Sequence, residues 1–351
     1  MVDRTPPLLQ KATMTKVVRK IKIAPHIGQE LLPFKPVATE KLIWDVLEAD
    51  MGMAKFVAPD AESPMVDKEK IDQMVATIAS IREKERFIES DLRAMREAGK
   101  LPVVEDSPSL LGALRAEAEG KLRTSLTRLK SRVANRIEWM RWQAILGEIT
   151  YNDGDVIFSV NYSIPADNKV TLSGTEMWSD TTNSDPVKDI NDWIDTYIET
   201  NKGLAPTRMY LSRKTLGYLA QNEKVRSLLK FSGHMNTDAF GSPKQAIKLI
   251  TTMTDITKVI PYDSFYEDSS GDSQRFLPQN KVILMPEPVT NGESLGDVAD
   301  GPHPHNNYKT GLYTWKQVKK DPYTTFIGVG RECFPRILHP EWIFIATPYS
   351  L

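Results

Sequence analysis

The clearest pattern in the chain is a stripe of apolar residues that recur three and four positions apart. The steps average about 3.7 residues, which keeps the stripe on one side of a nearly straight α-helix. Ser107 and Pro108 precede the stripe as an N-cap and as a proline suited to the first helical position. We therefore predict one long helix over about residues 108–147. Its buried stripe comprises Leu111, Leu114, Ala118, Leu122, Leu126, Leu129, Val133, Ile137, Met140 and Ala144.

Basic residues occupy the other side of this predicted helix. Such a row is typical of a solvated helix face, and contact with phosphates is a further interpretation. The residues concerned are Arg115, Lys121, Arg123, Arg128, Lys130, Arg132, Arg136 and Arg141.

The stretch 71–95 has an ambiguous pattern. Its apolar residues follow a helical spacing that only Glu85 breaks, so periodicity alone favours an amphipathic helix or a short coiled coil. Its β-branched residues favour a strand instead. The residues that can share one face of this strand are Val75, Thr77, Ala79 and Ile81. Both interpretations are compatible with a helix over 90–98.

The first forty positions contain several basic residues and prolines. Lysines and arginines are followed by Pro25, Pro33 and Pro36. Prolines interrupt regular elements, so we expect an extended N-terminal arm rather than a packed element.

After Gly147 the period changes to that of strands, predicted at 156–162 and 169–172. Helices and strands then alternate, which gives this part of the chain an α/β character. We predict helices over 187–199, 213–220, 223–230 and 243–252, and strands over 207–211, 258–261, 281–285 and 312–318. The stretch 287–307 is rich in Gly, Pro and Asn, so we interpret it as a poorly ordered loop or an insertion. Returning strands are expected at 326–329, 336–338 and 342–348.

The composition excludes several classes of protein. The chain has 351 residues, of which 40% are hydrophobic and 26% charged, values that are ordinary for a globular protein of two or three lobes. A formal net charge of -1 argues against a dedicated nucleic-acid-binding protein. We find no apolar run of transmembrane length and no signal-peptide core, and therefore expect a cytoplasmic product. The single cysteine, Cys333, excludes an intramolecular disulfide.

Candidate catalytic and metal-binding residues are sparse. His303 and His305 lack a third ligand at metal spacing, so a loop is the favoured interpretation. Cys333 is expected to be a small buried residue. The sequence from Asn152 to Asp155 lacks the rest of a calcium loop, and the one from Gly328 to Gly330 lacks the rest of a phosphate loop. We therefore predict no enzyme, no cofactor and no metal.

A family resemblance is concentrated between Arg136 and Trp193. The residues that carry it are Arg136, Glu138-Trp139-Met140, Gln143-Ala144-Ile145, Asp153-Gly154-Asp155, Val160-Asn161-Tyr162, Ile164-Pro165-Ala166, Thr171-Leu172, Trp178-Ser179, Asp185-Pro186-Val187-Lys188-Asp189-Ile190 and Trp193. This segment resembles the major capsid protein E family of tailed phages, the lambda-type head proteins. The similarity extends from about Phe56 to Leu229 and is patchy beyond Gly233.

The resemblance implies an α+β fold of the Hong Kong 97 type. It implies an N-terminal arm over 1–40, an extended β-hairpin over 41–88, a peripheral domain over 89–185 with the long helix as its spine, an axial α/β domain over 186–319, and a return to the peripheral domain over 320–351. In the family, Phe56 to Pro59 opens the hairpin and Met74 to Phe87 forms its returning strand. The resemblance thus favours the strand interpretation of 71–87.

The implied function is that of a major capsid protein. Identical subunits form the pentamers and hexamers of an icosahedral virion shell, assembled in the host cytoplasm, that encloses DNA without sequence-specific binding. Implied partners are other copies, a scaffolding protein, a portal and a decoration protein, with no membrane. In the family the long helix lies along the inner face of the shell, so the resemblance implies that its basic residues meet acidic surfaces of neighbouring subunits. The candidate subunit-interface residues are Arg82, Glu83, Lys84, Glu85, Arg86, Arg128, Arg132 and Arg136. The candidate packing anchors are Trp139, Trp178 and Trp193.

Two alternatives remain. A helical scaffolding or adaptor protein would pair the apolar stripes before residue 147 as a coiled-coil hairpin. A hydrolase with the α/β lobe as its catalytic domain is disfavoured, because no nucleophile, base or metal set emerges.

Overall fold

Two five-stranded sheets and one long helix organise the chain in this computed structural model. The structure describes residues 11–24, 26–39, 41–47, 71–88, 108–152, 157–231, 242–268, 270–290, 292–320 and 323–351. The predicted hairpin opening at Phe56 to Pro59, the helix over 90–98, the cap at Ser107 and the turn at Asp153 to Asp155 lie outside these residues.

The long helix, α3 (Pro108–Ile145), agrees with the predicted one. Of its predicted stripe, the positions from Leu122 onwards are buried, with Leu126 and Val133 each 1% exposed. The helix ends two residues earlier than predicted because Gly147 adopts a φ of +97°, a left-handed conformation that glycine tolerates.

The first sheet packs against α3 and is built around the longest strand, β17 (Tyr323–Ile337). Antiparallel to it run β15 (Gly296–Asp300), β16 (Tyr313–Lys320) and β4 (Ala79–Ile88). The short strand β1 (Phe34–Pro36) adds to β15 in parallel. Strand β17 therefore pairs both with its neighbour in the chain, β16, and with the distant β4.

A two-stranded ribbon precedes β4 and consists of β2 (Lys41–Leu47) and β3 (Ile71–Thr77). Strands over 71–88 confirm the strand interpretation, and the helical interpretation of this stretch is wrong. The predicted shared face is also wrong, because Val75 is 52% exposed whereas Ile81 is 8% exposed. The alternation of sides shifts at Ile78, which lies between the two strands and belongs to neither.

The second sheet has the strand order β7, β18, β12, β8, β9. Its strands are β7 (Lys169–Thr171), β8 (Arg208–Leu211), β9 (Lys258–Pro261), β12 (Val282–Met285) and β18 (Phe344–Thr347). This sheet and four helices form what we call the second lobe. The helices are α4 (Pro186–Thr200), α5 (Arg213–Gln221), α6 (Glu223–Phe231) and α7 (Pro243–Met253). All four predicted helices are confirmed within two residues. They share a hydrophobic core with strands β8, β12 and β18.

Three hairpins complete the described strands. They pair β5 (Glu148–Asn152) with β6 (Ile157–Asn161), β10 (Phe265–Glu267) with β11 (Ser273–Arg275), and β13 (Val289–Thr290) with β14 (Glu293–Ser294).

The described residues of the N-terminal segment are packed, so the prediction of an extended segment is wrong for 11–24 and 26–37. Helices α1 (Lys11–Lys20) and α2 (Gly28–Leu31) precede β1. Met14 and Val18 are 0% and 1% exposed, since their spacing of four places both on the buried side of α1. Basic residues on the opposite side of the helix obscured this apolar face in the sequence.

The segment 287–307 is not simply a loop or insertion, because it contains the fully buried strand β15. Asp297 and Asp300 make the sequence of this strand look polar. Arg336 donates two hydrogen bonds of 2.8 Å to the carboxylate of Asp297. Arg331 makes the same bidentate contact with Asp300. Burial of the carboxylates is tolerated because each is paired.

Sheet membership does not follow the order of the chain. Strands β15 and β16, the latter running across residue 319, join the first sheet, whereas the later strand β18 joins the second sheet.

Candidate subunit-contact surface

The alternating charges of β4 are divided between two faces of the first sheet. Side chains alternate along a strand, so Glu83 and Glu85 point towards α3. Arg128 Nη2 lies 2.6 Å from Glu85 Oε1, and Arg132 Nη2 lies 3.2 Å from Glu83 Oε1. The structure thus brings together four of the predicted interface residues, as ion pairs within one chain.

The cations of β4 point the other way. Arg82, Lys84 and Arg86 are all exposed, on the sheet face opposite α3. In register with them on β17 lie two glycines and Phe326, and Lys84 Nζ is 5.3 Å from the centre of the Phe326 ring. Because α3 takes the carboxylates, this face of β4 presents positive charge only.

Aromatic rings on β16 lie across the glycines of β17. A Cβ on Gly328 would collide with the Trp315 indole, and a Cβ on Gly330 would lie 2.8 Å from Tyr313 ring atoms. These glycines therefore make room for rings within a strand rather than forming a phosphate loop. The exposed cations of β4 lie beside this aromatic surface.

A carboxylate links the three central strands on this face. Glu332 Oε1 accepts hydrogen bonds from Tyr313 Oη at 2.7 Å and from Ser80 Oγ at 2.8 Å. Burial, together with the nearby Glu332 carboxylate, raises the pKa of the Tyr313 hydroxyl. His303 stacks on Tyr313 at 4.2 Å and His305 lies near Trp315, so this pair packs on the sheet.

The remaining predicted residues lie elsewhere. Arg136, farther along α3, lies 5.1 Å from both the Trp139 and the Tyr151 rings. Trp178 and Trp193 are buried in the second lobe and stack at 5.4 Å. They do not belong to the same surface as the charges of β4.

A buried carboxylate on α3, Glu138, was missed by the sequence analysis as a structural centre. Its Oε1 accepts hydrogen bonds from the Gly28 amide at 2.9 Å, Trp142 Nε1 at 2.8 Å and Tyr262 Oη at 3.0 Å. Arg141 Nη1 lies 3.5 Å from Oε2. Glu138 therefore joins the N-terminal segment, the long helix and the second lobe. In the sequence, Arg141 and Trp142 follow Glu138 by three and four positions, which predicts side-chain contacts on one helix face. Pairs at this spacing are equally typical of exposed helix surfaces, so the pattern did not indicate a buried carboxylate.

Chemistry is sparse in the described part of the chain. It contains no group of three or more His, Cys, Asp or Glu residues placed to hold a metal ion. Cys333 is buried, and burial raises the pKa of its thiol to about 12. None of the helices in the described ranges has the length and apolarity to cross a membrane.

Comparisons with known proteins agree with the resemblance in the sequence. Residues 10–309 match the sequence profile of the phage major capsid protein E family. Among curated proteins, none matches the chain significantly. A solved structure assigned as the capsid protein of a prophage of Escherichia coli CFT073 is similar with a TM-score of 0.59 and 17% identity, covering 94% of this chain and 96% of that one. A phage-related protein from Bordetella bronchiseptica RB50 is similar with a TM-score of 0.54 and 16% identity, covering 97% of both chains. These likenesses place the α+β fold among phage capsid folds of the Hong Kong 97 type.

Proposed function

The chain belongs to the phage major capsid protein E family, and we propose that the two faces of β4 serve two different kinds of contact in its shell. Its function is that of a phage major capsid protein, copies of which form an icosahedral shell in the virion. The observation that carries this conclusion is the match of the family profile to residues 10–309.

The inward face of β4 stabilises the subunit itself. Glu83 and Glu85 pair with arginines of the chain's own long helix, which holds the strand against α3. These arginines are more than 60% exposed, so each pair contributes about 0.2–1 kcal/mol.

The outward face of β4 supports contacts between subunits. On this face β4 itself contributes only the cations Arg82, Lys84 and Arg86, which border the rings of Phe326 and Trp315 and lie beside Glu332 of β17. A neighbouring subunit with acidic side chains would complement this charge. Each such contact is weak, which lets a misplaced subunit leave, and the many contacts of a closed shell together make it stable.

The arrangement of subunits follows from identical copies that contact one another through different patches. Such heterologous contacts close into rings, here pentamers and hexamers. The hairpin begun by β2 and β3 would overlap a neighbour, and scaffolding, portal and decoration proteins are further partners. Assembly would take place in the host cytoplasm. The net charge of -1 suits a shell that encloses DNA without binding it tightly.

We assign no catalytic activity and no cofactor to the chain. The coiled-coil scaffolding alternative loses its basis, because it requires a helix where β3 and β4 run.

Electron microscopy of the purified chain, combined with sedimentation velocity, tests the shell function. We expect closed particles or capsomers, alone or after co-expression with a scaffolding protein. A monomer at every salt and protein concentration, with or without the scaffold, would contradict the proposal.

A further inference from the structure

A strained turn after β15 presents the side chain of Tyr308 to the solvent. Asn307 and Tyr308 have φ angles of 53° and 56°, in the left-handed region. Asparagine tolerates this region, but for a bulky aromatic residue it is a costly exception. Tyr308 is 75% exposed, and among the described large apolar side chains only Leu351 is more exposed.

The turn is held in place from several sides. Asn306 Nδ2 donates hydrogen bonds of 2.8 Å to the carbonyl oxygens of both Lys309 and Thr310. The Tyr308 amide donates to the His303 carbonyl oxygen at 3.0 Å, and the His303 ring stacks on Tyr313 of the first sheet. The strained conformation is therefore imposed by its surroundings.

Helix α1 braces the same turn. Arg19 Nη2 donates to Asn306 Oδ1 at 3.1 Å and to the Leu312 carbonyl oxygen at 3.2 Å. The turn is thus tied both to the sheet and to the N-terminal helix. A tyrosine on such a rigid support loses little conformational freedom on binding, since only its two side-chain torsions remain to be ordered.

We propose that Tyr308 is an anchor residue that inserts into the surface of a second copy of this chain in the shell. This inference rests on the proposed function. Backbone strain persists where function requires it, and tyrosine is enriched among the residues that dominate binding interfaces. The turn needs neither the ring nor the hydroxyl of Tyr308 for its own hydrogen bonds, which all use the backbone or Asn306.

A second copy offers a surface of matching chemistry. Lys309, which is exposed, directly follows Tyr308 in the chain, so the receiving surface should combine an apolar residue with carboxylates. The chain exposes Val289 by 63% in the β13–β14 hairpin, which also carries the exposed Glu293. A contact between the turn and such a hairpin joins different patches of identical subunits, which extends a ring or a lattice.

Two substitutions separate anchoring from folding. Tyr308→Asn removes the ring and places a residue that tolerates the left-handed conformation, so the midpoint of thermal unfolding of the subunit should stay the same or rise. The critical concentration for shell assembly should rise by at least about tenfold, as expected for the loss of an interface anchor. Met253→Asn, which removes another exposed apolar side chain, should leave assembly unchanged. Normal assembly of Tyr308→Asn, or an equal loss in both variants, would overturn the proposal.

Photo-crosslinking identifies the partner. With p-benzoylphenylalanine at position 308, irradiated shells should yield covalent dimers of the chain, and dissociated subunits should not. Adducts only with a different protein, or none, would overturn the inference while leaving the shell function intact. Failure of the wild-type chain to form any shell would instead overturn the proposed function together with this inference.

Discussion

The backbone amide of Gly28 donates a hydrogen bond of 2.9 Å to the carboxylate of Glu138, 110 residues later in the chain. The carboxylate is completely buried, and a Cβ at position 28 would lie 2.6 Å from its Oε2 atom. Gly28 is thus required by the close approach of two distant segments.

We expect Gly28→Ala to lower the free energy of unfolding by about 1–3 kcal/mol, because the methyl group must displace a carboxylate held by three hydrogen bonds. Urea denaturation followed by fluorescence would measure it. Gly120→Ala is the matched control: nothing lies within 4 Å of its Cβ, so alanine should stabilise α3 by about 0.5–1 kcal/mol. Equal effects at the two positions would contradict the role of the Gly28 contact.

Reversal of the outward charges on β4 should impair the shell more than the subunit. For Arg82→Glu with Lys84→Glu, we expect loss of particles in electron microscopy and a change in subunit stability below about 1 kcal/mol, since both side chains are exposed. Lys244→Glu with Lys248→Glu on α7 makes the same change in net charge at exposed positions and should assemble. Intact particles at normal yield from the β4 variant would count against the proposed contact.

Asp189 makes the stability of the second lobe depend on pH. Burial raises the pKa of its carboxyl to about 6 from 3.8, despite the hydrogen bond from Trp178 Nε1. Between about pH 4 and 6 the folded chain therefore holds a proton that the unfolded chain has released. The contribution of Asp189 to stability is present below this window and is lost as the pH rises through 6.

Asp189→Asn should flatten this dependence and raise the free energy of unfolding at pH 7.5 by about 1 kcal/mol, a value reduced for the partial exposure of the group. Thermal unfolding at several pH values would measure it. Asp192→Asn on the same helix, where the side chain is 58% exposed, should change little. An unchanged slope between pH 4 and 6 in Asp189→Asn would refute the assignment.

The thiol of Cys333 should be inert in the folded chain. Burial raises its pKa to about 12, so almost no reactive thiolate exists at pH 8. Ellman's reagent should label one thiol per chain in urea and none in native protein within minutes. Rapid labelling of the native subunit would show that β17 opens far more readily than its burial implies.

Patterns of apolar residues in the sequence predicted the structure correctly where a single element buries one continuous face. The stripe on α3 predicted a long helix that the structure confirms, and the apolar spacings after residue 186 predicted the four helices of the second lobe. Sequence patterns failed where burial depends on a distant partner. The Gly, Pro and Asn content of 287–307 suggested a loop, whereas the arginines that allow the aspartates of β15 to be buried lie more than thirty residues away on β17. Likewise, the face of β3 and β4 changes at Ile78, where β3 leaves β2 and β4 joins β17.

The sequence predicted which charged residues belong to the candidate surface, but it did not predict how they are divided between the two faces of β4. Side chains alternate between the two faces of a strand. Since this segment is a strand, Glu83 and its neighbouring cations must point in opposite directions. Only the packing of α3 decided which face is used within the subunit and which is left for other copies.

The sequence by itself determined the family, the long helix and the alternating elements of the second lobe, because these follow from side chains close together in the chain. The tertiary structure alone decided which strands share a sheet, that Glu138 connects three segments, and that Tyr308 is held in a strained turn. These features depend on contacts between residues far apart in the chain, such as Gly28 with Glu138 and Arg19 with Asn306, where hydrogen bonding and burial outweigh local preference.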